Sequence, residues 1–140
     1  MIPVFIDTNI PMYAAGKPHP LRAPAQAVIN AIVEDEIDAV TDAEVFQEIL
    51  YRYWHISARE KGLLIFDHFY RVMLGKVLPV TTHDVLLARE LLDQFPTLPP
   101  RDVIHLAVMR RNEINFIISA DKDFDDIPGI QRIDPKRIKT

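Results

Sequence analysis

Apolar and polar positions along this chain switch repeatedly between the spacing of a strand and that of a helix. VFI before Asp7 is a short apolar run with β-branched and aromatic character, so a first strand is predicted to end at Asp7. A short helix begins near Asn9, and Pro18, Pro20 and Pro24 punctuate the loop that follows it. Arg22 to about Glu34 reads as helix and IDAVT as a second strand, with Thr41 or Asp42 able to cap the next helix. In that helix Val45, Phe46, Ile49, Leu50 and Tyr53 form an apolar stripe suited to packing on a sheet. Ser57 to about Leu74 predicts another helix, with Leu64, Phe69 and Val72 in the core, followed by a short strand at KVLPV. From Thr82 a helix buries Val85, Ala88, Leu92 and Phe95 until PTLPP stops it, and Pro100 fits the first turn of the next one. NFIIS is a strongly apolar strand, QRI a final edge strand and PKRIKT a short basic tail.

Strands alternating with helices predict an α/β fold, a mainly parallel central sheet covered on both faces. With 140 residues, 49% of them hydrophobic, the chain is long enough for a real core, and residues 1–140 are read as a single domain without repeat or linker. In such open sheets sites form beyond the carboxyl ends of the strands. That rule brings Asp7, at the end of the first strand, and Asp121, just past NFIIS, to one rim. Asp102 stands in the first turn of its helix, where a carboxylate also interacts favourably with the helix dipole. Glu48 lies ~130° from the centre of its helix's apolar stripe, nearer the buried edge than Glu44 does. Gathered carboxylates repel one another and need protons or a hard cation to offset their charge, so a divalent metal is the natural expectation.

Each residue also has a plainer reading. Asp7 could cap a helix, Asp102 could be an ordinary N-terminal helix acid, and Glu48 could pair with Arg52 one turn later. Asp121, Asp123, Asp125 and Asp126 could form a solvated turn with Lys122. Thr8, Asn9 and Ser119 suit the orientation of acid ligands and bound water, and capping explains them equally well. His105, three positions after Asp102, reads first as a satisfied buried histidine, with metal ligation or base chemistry as the sharper alternative. Tyr51, Tyr53 and Trp54 suit core or dimer packing better than base stacking. Arg101, Arg110, Arg111 and Lys122 neighbour the acidic segments and are candidates for phosphate contact or for ordinary ion pairs.

Composition narrows the classes further. With zero cysteines, disulfides, thiolate metal sites and cysteine nucleophiles are excluded, which fits a cytoplasmic setting. A net charge of −4 argues against nucleic-acid binding by bulk positive charge, though not against a nuclease whose metal reverses the local sign. Four glycines occur and none forms a phosphate-cradling motif; no apolar run approaches membrane-spanning length. A phospho-acceptor receiver domain would pair acids on its first strand, whereas Asp7 has no acidic neighbour. DTN lacks the second aspartate of a DxDxT phosphotransfer motif, and neither Ser57 nor Ser119 occurs in GxSxG.

Together IDTN, QEIL after an apolar helical stripe, RDVIHLA and ISADKDF resemble, in order and spacing over nearly the whole chain, the PIN-domain family, particularly the VapC-type toxin ribonucleases. The resemblance implies a three-layer α/β/α sandwich and Mg²⁺- or Mn²⁺-dependent endonuclease activity on RNA. By it Asp7, Glu48, Asp102 and Asp121 look like the four metal-binding acids, Thr8 or Asn9 and Ser119 like their polar companions, and Asp123 like a less regular extra acid. Ser119 stands where the family more often carries Thr. A cognate antitoxin and a homodimer are implied as partners, with a PIN-fold RNA-processing nuclease, or a PIN fold that binds RNA or protein without cutting, as the alternatives without a toxin role.

Overall fold

The structure, a computed structural model, describes residues 1–138. Five strands, β1 (Pro3–Ile6), β2 (Asp38–Asp42), β3 (Val77–Leu78), β4 (Phe116–Ile118) and β5 (Gln131–Ile133), lie in the order β3-β2-β1-β4-β5, every neighbouring pair parallel. Phe5 and Ile6 in the central strand are fully buried, and Phe5 stands in register with Val40 on one side and Ile117 on the other. Among the described residues six α-helices connect the strands: α1 (Asn9–Ala14), α2 (Arg22–Val33), α3 (Ala43–His55), α4 (Arg59–Val72), α5 (Thr82–Gln94) and α6 (Pro100–Arg111). The chain steps outward from β1 to β3, then returns to β4 on the other side of β1. Crossovers of one hand running in opposite directions must cover opposite faces, which makes the three-layer α/β/α sandwich. The direction reverses between β1 and β4, and that switch point leaves a crevice at their carboxyl ends.

Several elements differ in detail from the expectations. Leu64 and Val85, read as core, are 72% and 49% exposed. Phe69 is buried as expected and Val72 partly so, while the rest of the inward face of α4 is Gly62 and Ile65, continued by Met73. Leu50 falls outside the buried stripe of α3, which consists of Val45, Phe46, Ile49 and Tyr53. Pro24 lies within the first turn of α2, where its missing N–H costs nothing, so the preceding loop holds only Pro18 and Pro20. The tail forms a 3-10 turn at Pro135–Arg137, and its last two residues lie outside those described.

Two local devices set the pose of α6, which carries part of the candidate site. Thr81 and Asp84 cap α5 reciprocally, the Asp84 N–H donating to Thr81 Oγ1 at 3.2 Å and the Thr81 N–H to Asp84 Oδ2 at 2.8 Å. The same buried Asp84 accepts from Arg111 at 2.6 and 3.0 Å, while Arg111 also donates to the Pro79 carbonyl at 3.1 Å. Arg111 is therefore a strut at the far end of α6 and not a phosphate contact.

Candidate metal centre

β1 ends by delivering Asp7 into the switch-point crevice, and nearly every polar group of the following turn serves to hold its carboxylate. Asp7 Oδ1 accepts from the Thr8 N–H at 2.8 Å; Oδ2 accepts from Ser119 Oγ at 2.6 Å and from Asn9 Nδ2 at 3.2 Å. Asn9 also donates to Ser119 Oγ at 3.1 Å and accepts from the Ala120 N–H at 3.2 Å, so the turn after β1 is tied to the turn after β4. Ser119 Oγ accepts in turn from the Asp121 N–H at 2.9 Å, which positions that residue. Asp121 Oδ1 caps the 3-10 turn Lys122–Asp126 through the Asp123 N–H at 2.9 Å.

The opposite wall comes from α3 and α6. Glu48 Oε1 accepts from Thr8 Oγ1 at 3.0 Å, and Oε2 faces Arg101 Nε at 3.3 Å. The i,i+4 pair between Glu48 and Arg52 that the spacing allowed is absent among the described residues; Arg101, from α6, takes its place. Beneath them His105 is fully buried, with Nδ1 2.8 Å from Asp42 Oδ2. Its other nitrogen, Nε2, has no hydrogen-bond partner and lies 3.8 Å from Glu48 Oε1 and 4.0 Å from Asp7 Oδ1.

Asp7, Glu48, Asp102 and Asp121 all line one cleft of about 300 Å³, together with Asn9 and Arg101. The electrostatics are those of crowded, poorly hydrated acids. Burial pushes Asp7 above the usual aspartate range, although His105, Ser119 and Thr8 work against it. Burial, reinforced by the charges of Asp7 and Asp121, pushes Asp102 up to about 7. Burial also acts to raise Glu48, but His105, Arg101 and Thr8 outweigh it and hold its carboxyl below the ordinary value. For His105, burial disfavours the cation, yet Asp42, Glu48 and Asp7 together raise it well above an ordinary imidazole.

Hard oxygen donors converging where a carboxylate cannot easily ionise form a site that favours a divalent cation. Asp7, Asp102 and His105 each bring one oxygen or ring nitrogen within 4.8 Å of the others, but a histidine raised well above its ordinary value holds protons on both nitrogens, so it balances the charge of the acids and the carboxylates are the metal donors. The donor set thus fits a metal ion on geometry and on charge.

The PIN-domain family model matches residues 4–130. The chain belongs to the PIN-domain family. Ribonuclease VapC13 of Mycobacterium tuberculosis is 41% identical over 130 residues, which cover 93% of this chain and 98% of that protein. Among solved structures, the DNA-bound VapBC of Salmonella typhimurium superposes with a TM-score of 0.71 at 19% identity, covering 96% of this chain and 99% of that one. The sarcin-ricin loop cleaving toxin VapC20 of Mycobacterium tuberculosis gives 0.71 at 18% identity, covering 87% and 92%. At such identities the two structures establish the fold.

Within this PIN domain the four acids singled out from the sequence meet in one cleft, and Thr8, Asn9 and Ser119 brace them as hydrogen-bonding companions. Asp123 and Lys122 are exposed and do not line that cleft. Arg101 lines it, whereas Arg110 and Arg111 stand a helix length away. Asp42 was missed as a site residue, having been read only as a cap. It does cap α3, accepting from the Val45 N–H at 3.1 Å, but its second oxygen holds His105. The signal was present: Asp42 ends β2 on the same rim where Asp7 follows β1. The buried reading of His105 was half right, since only one of its nitrogens is satisfied.

Proposed function

We propose that this chain is a divalent-metal-dependent endoribonuclease acting as the toxin of a type II toxin–antitoxin pair. The convergence of Asp7, Glu48, Asp102 and Asp121 on a single cleft supports this most directly, in a chain whose relatives over nearly its full length are ribonucleases. Asp7, Asp102, Asp121 and Glu48 would hold Mg²⁺ or Mn²⁺ through hard oxygen donors. Such an ion would supply activation of a water toward the phosphodiester and positive charge to offset that on the leaving oxygen. Ser119, Asn9 and the Thr8 N–H fix the Asp7 carboxylate, so that it need not reorganise as the reaction proceeds. Arg101 orients Glu48 and brings positive charge to the rim where a phosphate would sit. No nucleophilic side chain is needed.

The partners follow from the same reading: an antitoxin that blocks the cleft, in keeping with the toxin–antitoxin complex from Klebsiella pneumoniae whose fold this chain shares, and a second copy of this chain. Among the described residues no helix is long and apolar enough to cross a membrane, and we place the protein in the cytoplasm with its RNA. Purified protein should cut single-stranded RNA with Mg²⁺ or Mn²⁺ and stop in EDTA, and Asp7→Asn or Asp121→Asn should lower the rate by about a hundredfold or more. Wild-type cleavage rates in both variants would overturn the assignment.

A further inference from the structure

Beside the acidic cleft a second concave surface of about 400 Å³ opens between the α1–α2 loop and the end of α3. Met12, Tyr13, Arg52 and Tyr53 line both, so the two adjoin along these four side chains and together make a trough. Its outer part carries Lys17, Arg52 and Lys61, and among the described residues none of the three pairs with a carboxylate. Arg52 is the informative one. It stands one helical turn from Glu48 and would ordinarily be neutralised there, but Glu48 is committed to Thr8 and Arg101, leaving Arg52 exposed and uncommitted.

An aromatic pair faces the same surface. The Tyr13 and His19 rings lie 4.7 Å apart, centre to centre, tilted by 34°. His19 Nδ1 accepts from the Leu21 N–H at 3.0 Å, which fixes the ring and places the proton of the neutral imidazole on Nε2. Pro18 and Pro20 on either side of His19 stiffen the loop that presents it. Free cations and fixed aromatic rings, adjoining a phosphate-cutting cleft, are the two components of single-strand recognition: charge along the backbone and flat faces for unpaired bases.

We infer that this trough seats the nucleotides flanking the scissile phosphate of a single-stranded RNA, with Lys17, Arg52 and Lys61 on successive phosphates and a base against Tyr13 and His19. The inference rests on the proposed ribonuclease activity and adds where the strand runs. A protein segment rich in acids would satisfy the three cations but would make no matching use of the aromatic pair, so RNA is favoured. In a chain of net charge −4, Lys17, Arg52 and Lys61 give a polyanion local positive charge beside the four acids.

The test is fluorescence anisotropy of a labelled single-stranded RNA of about 12 nucleotides in EDTA, where nothing is cut. The triple variant Lys17→Ala/Arg52→Ala/Lys61→Ala should bind roughly tenfold more weakly at low salt, and its log–log salt slope should be shallower by about 2, near 0.7 per lost phosphate contact. His19→Ala should weaken binding with the slope unchanged, since stacking releases no counterions, and Arg89→Ala on α5 should match wild type. With Mg²⁺, single-turnover cleavage by the triple variant should need more RNA for half-saturation while its maximal rate stays near wild type. Unchanged affinity and slope in the triple variant would overturn the inference while leaving wild-type cleavage, and hence the proposed function, intact; the cations would then fit an acidic protein partner. Failure of the wild type to cut any RNA would remove both.

Discussion

His105 has no contact with water and three carboxylates around it, which makes it the most constrained side chain of the site. Its Nδ1 hydrogen bond to Asp42 fixes the ring plane, and the same bond presents Nε2 to the space between Asp7 and Glu48. Asp42 is doubly engaged, as the cap of α3 and as the holder of His105, so removing it should cost more than either role alone. Asp42→Ala should lower the free energy of unfolding by ~3 kcal/mol or more, because it strands a buried imidazole and a helix N-terminus together. Asp42→Asn keeps a capping oxygen and should cost clearly less. Urea denaturation of the two variants would check this, and equal losses would mean that the histidine contact matters and the cap does not. The His105 contribution also has a sign: its folded pKa is raised, so the stabilisation is full below an ordinary imidazole pKa and fades as pH rises through the elevated value. None of this pairing could be read from the chain, since Asp42 and His105 are 63 positions apart.

Helices α3 and α4 meet at an unusually close approach. A Cβ added to Gly62 would lie 2.4 Å from Tyr53 Cβ, and both residues are buried. A glycine inside a helix normally lowers its stability, so its position on α4 is explained by the crossing it allows. Gly62→Ala should therefore destabilise the protein by ~1–3 kcal/mol despite alanine's better helix propensity, as seen by a fall in thermal midpoint. A rise in the midpoint would show that the helices can separate without loss. The crossing also explains why Leu64 was misread: helical spacing fits several registers, and the requirement that Gly62 face Tyr53 selects the one that turns Leu64 outward. By contrast the stripe of α3 was legible because Val45, Phe46, Ile49 and Tyr53 admit one inward face.

Over the whole molecule the site stores charge that folding alone does not neutralise. Asp102 has a folded pKa of about 7 against an ordinary 3.8, so the folded state holds its proton longer than the unfolded chain does. The metal-free protein should consequently lose stability as pH climbs from about 4 to about 7, the opposite of an ion-paired aspartate. A cation must displace that proton, so Mn²⁺ affinity measured by calorimetry should rise about tenfold per pH unit below about 7 and level off above it. Asp102→Asn should bind more weakly and with a flatter pH profile; an affinity independent of pH between about 5 and 7 in the wild type would contradict this account.

Local chemistry acting over a few residues was enough to determine the alternation of strands and helices, a cap for α3 at Thr41 or Asp42, the proline boundaries and the presence of acids at strand ends. The gathering of Asp7, Glu48, Asp102 and Asp121 was accessible because parallel strands must share a carboxyl rim, whatever the details of packing. Which partner each side chain takes was decided only in three dimensions. Glu48 turned to Arg101 and not to Arg52, Arg111 to Asp84 and not to a phosphate, and Asp42 to His105, because these choices depend on how helices distant in the chain are set against one another to ångström precision, and sequence spacing carries no information about that.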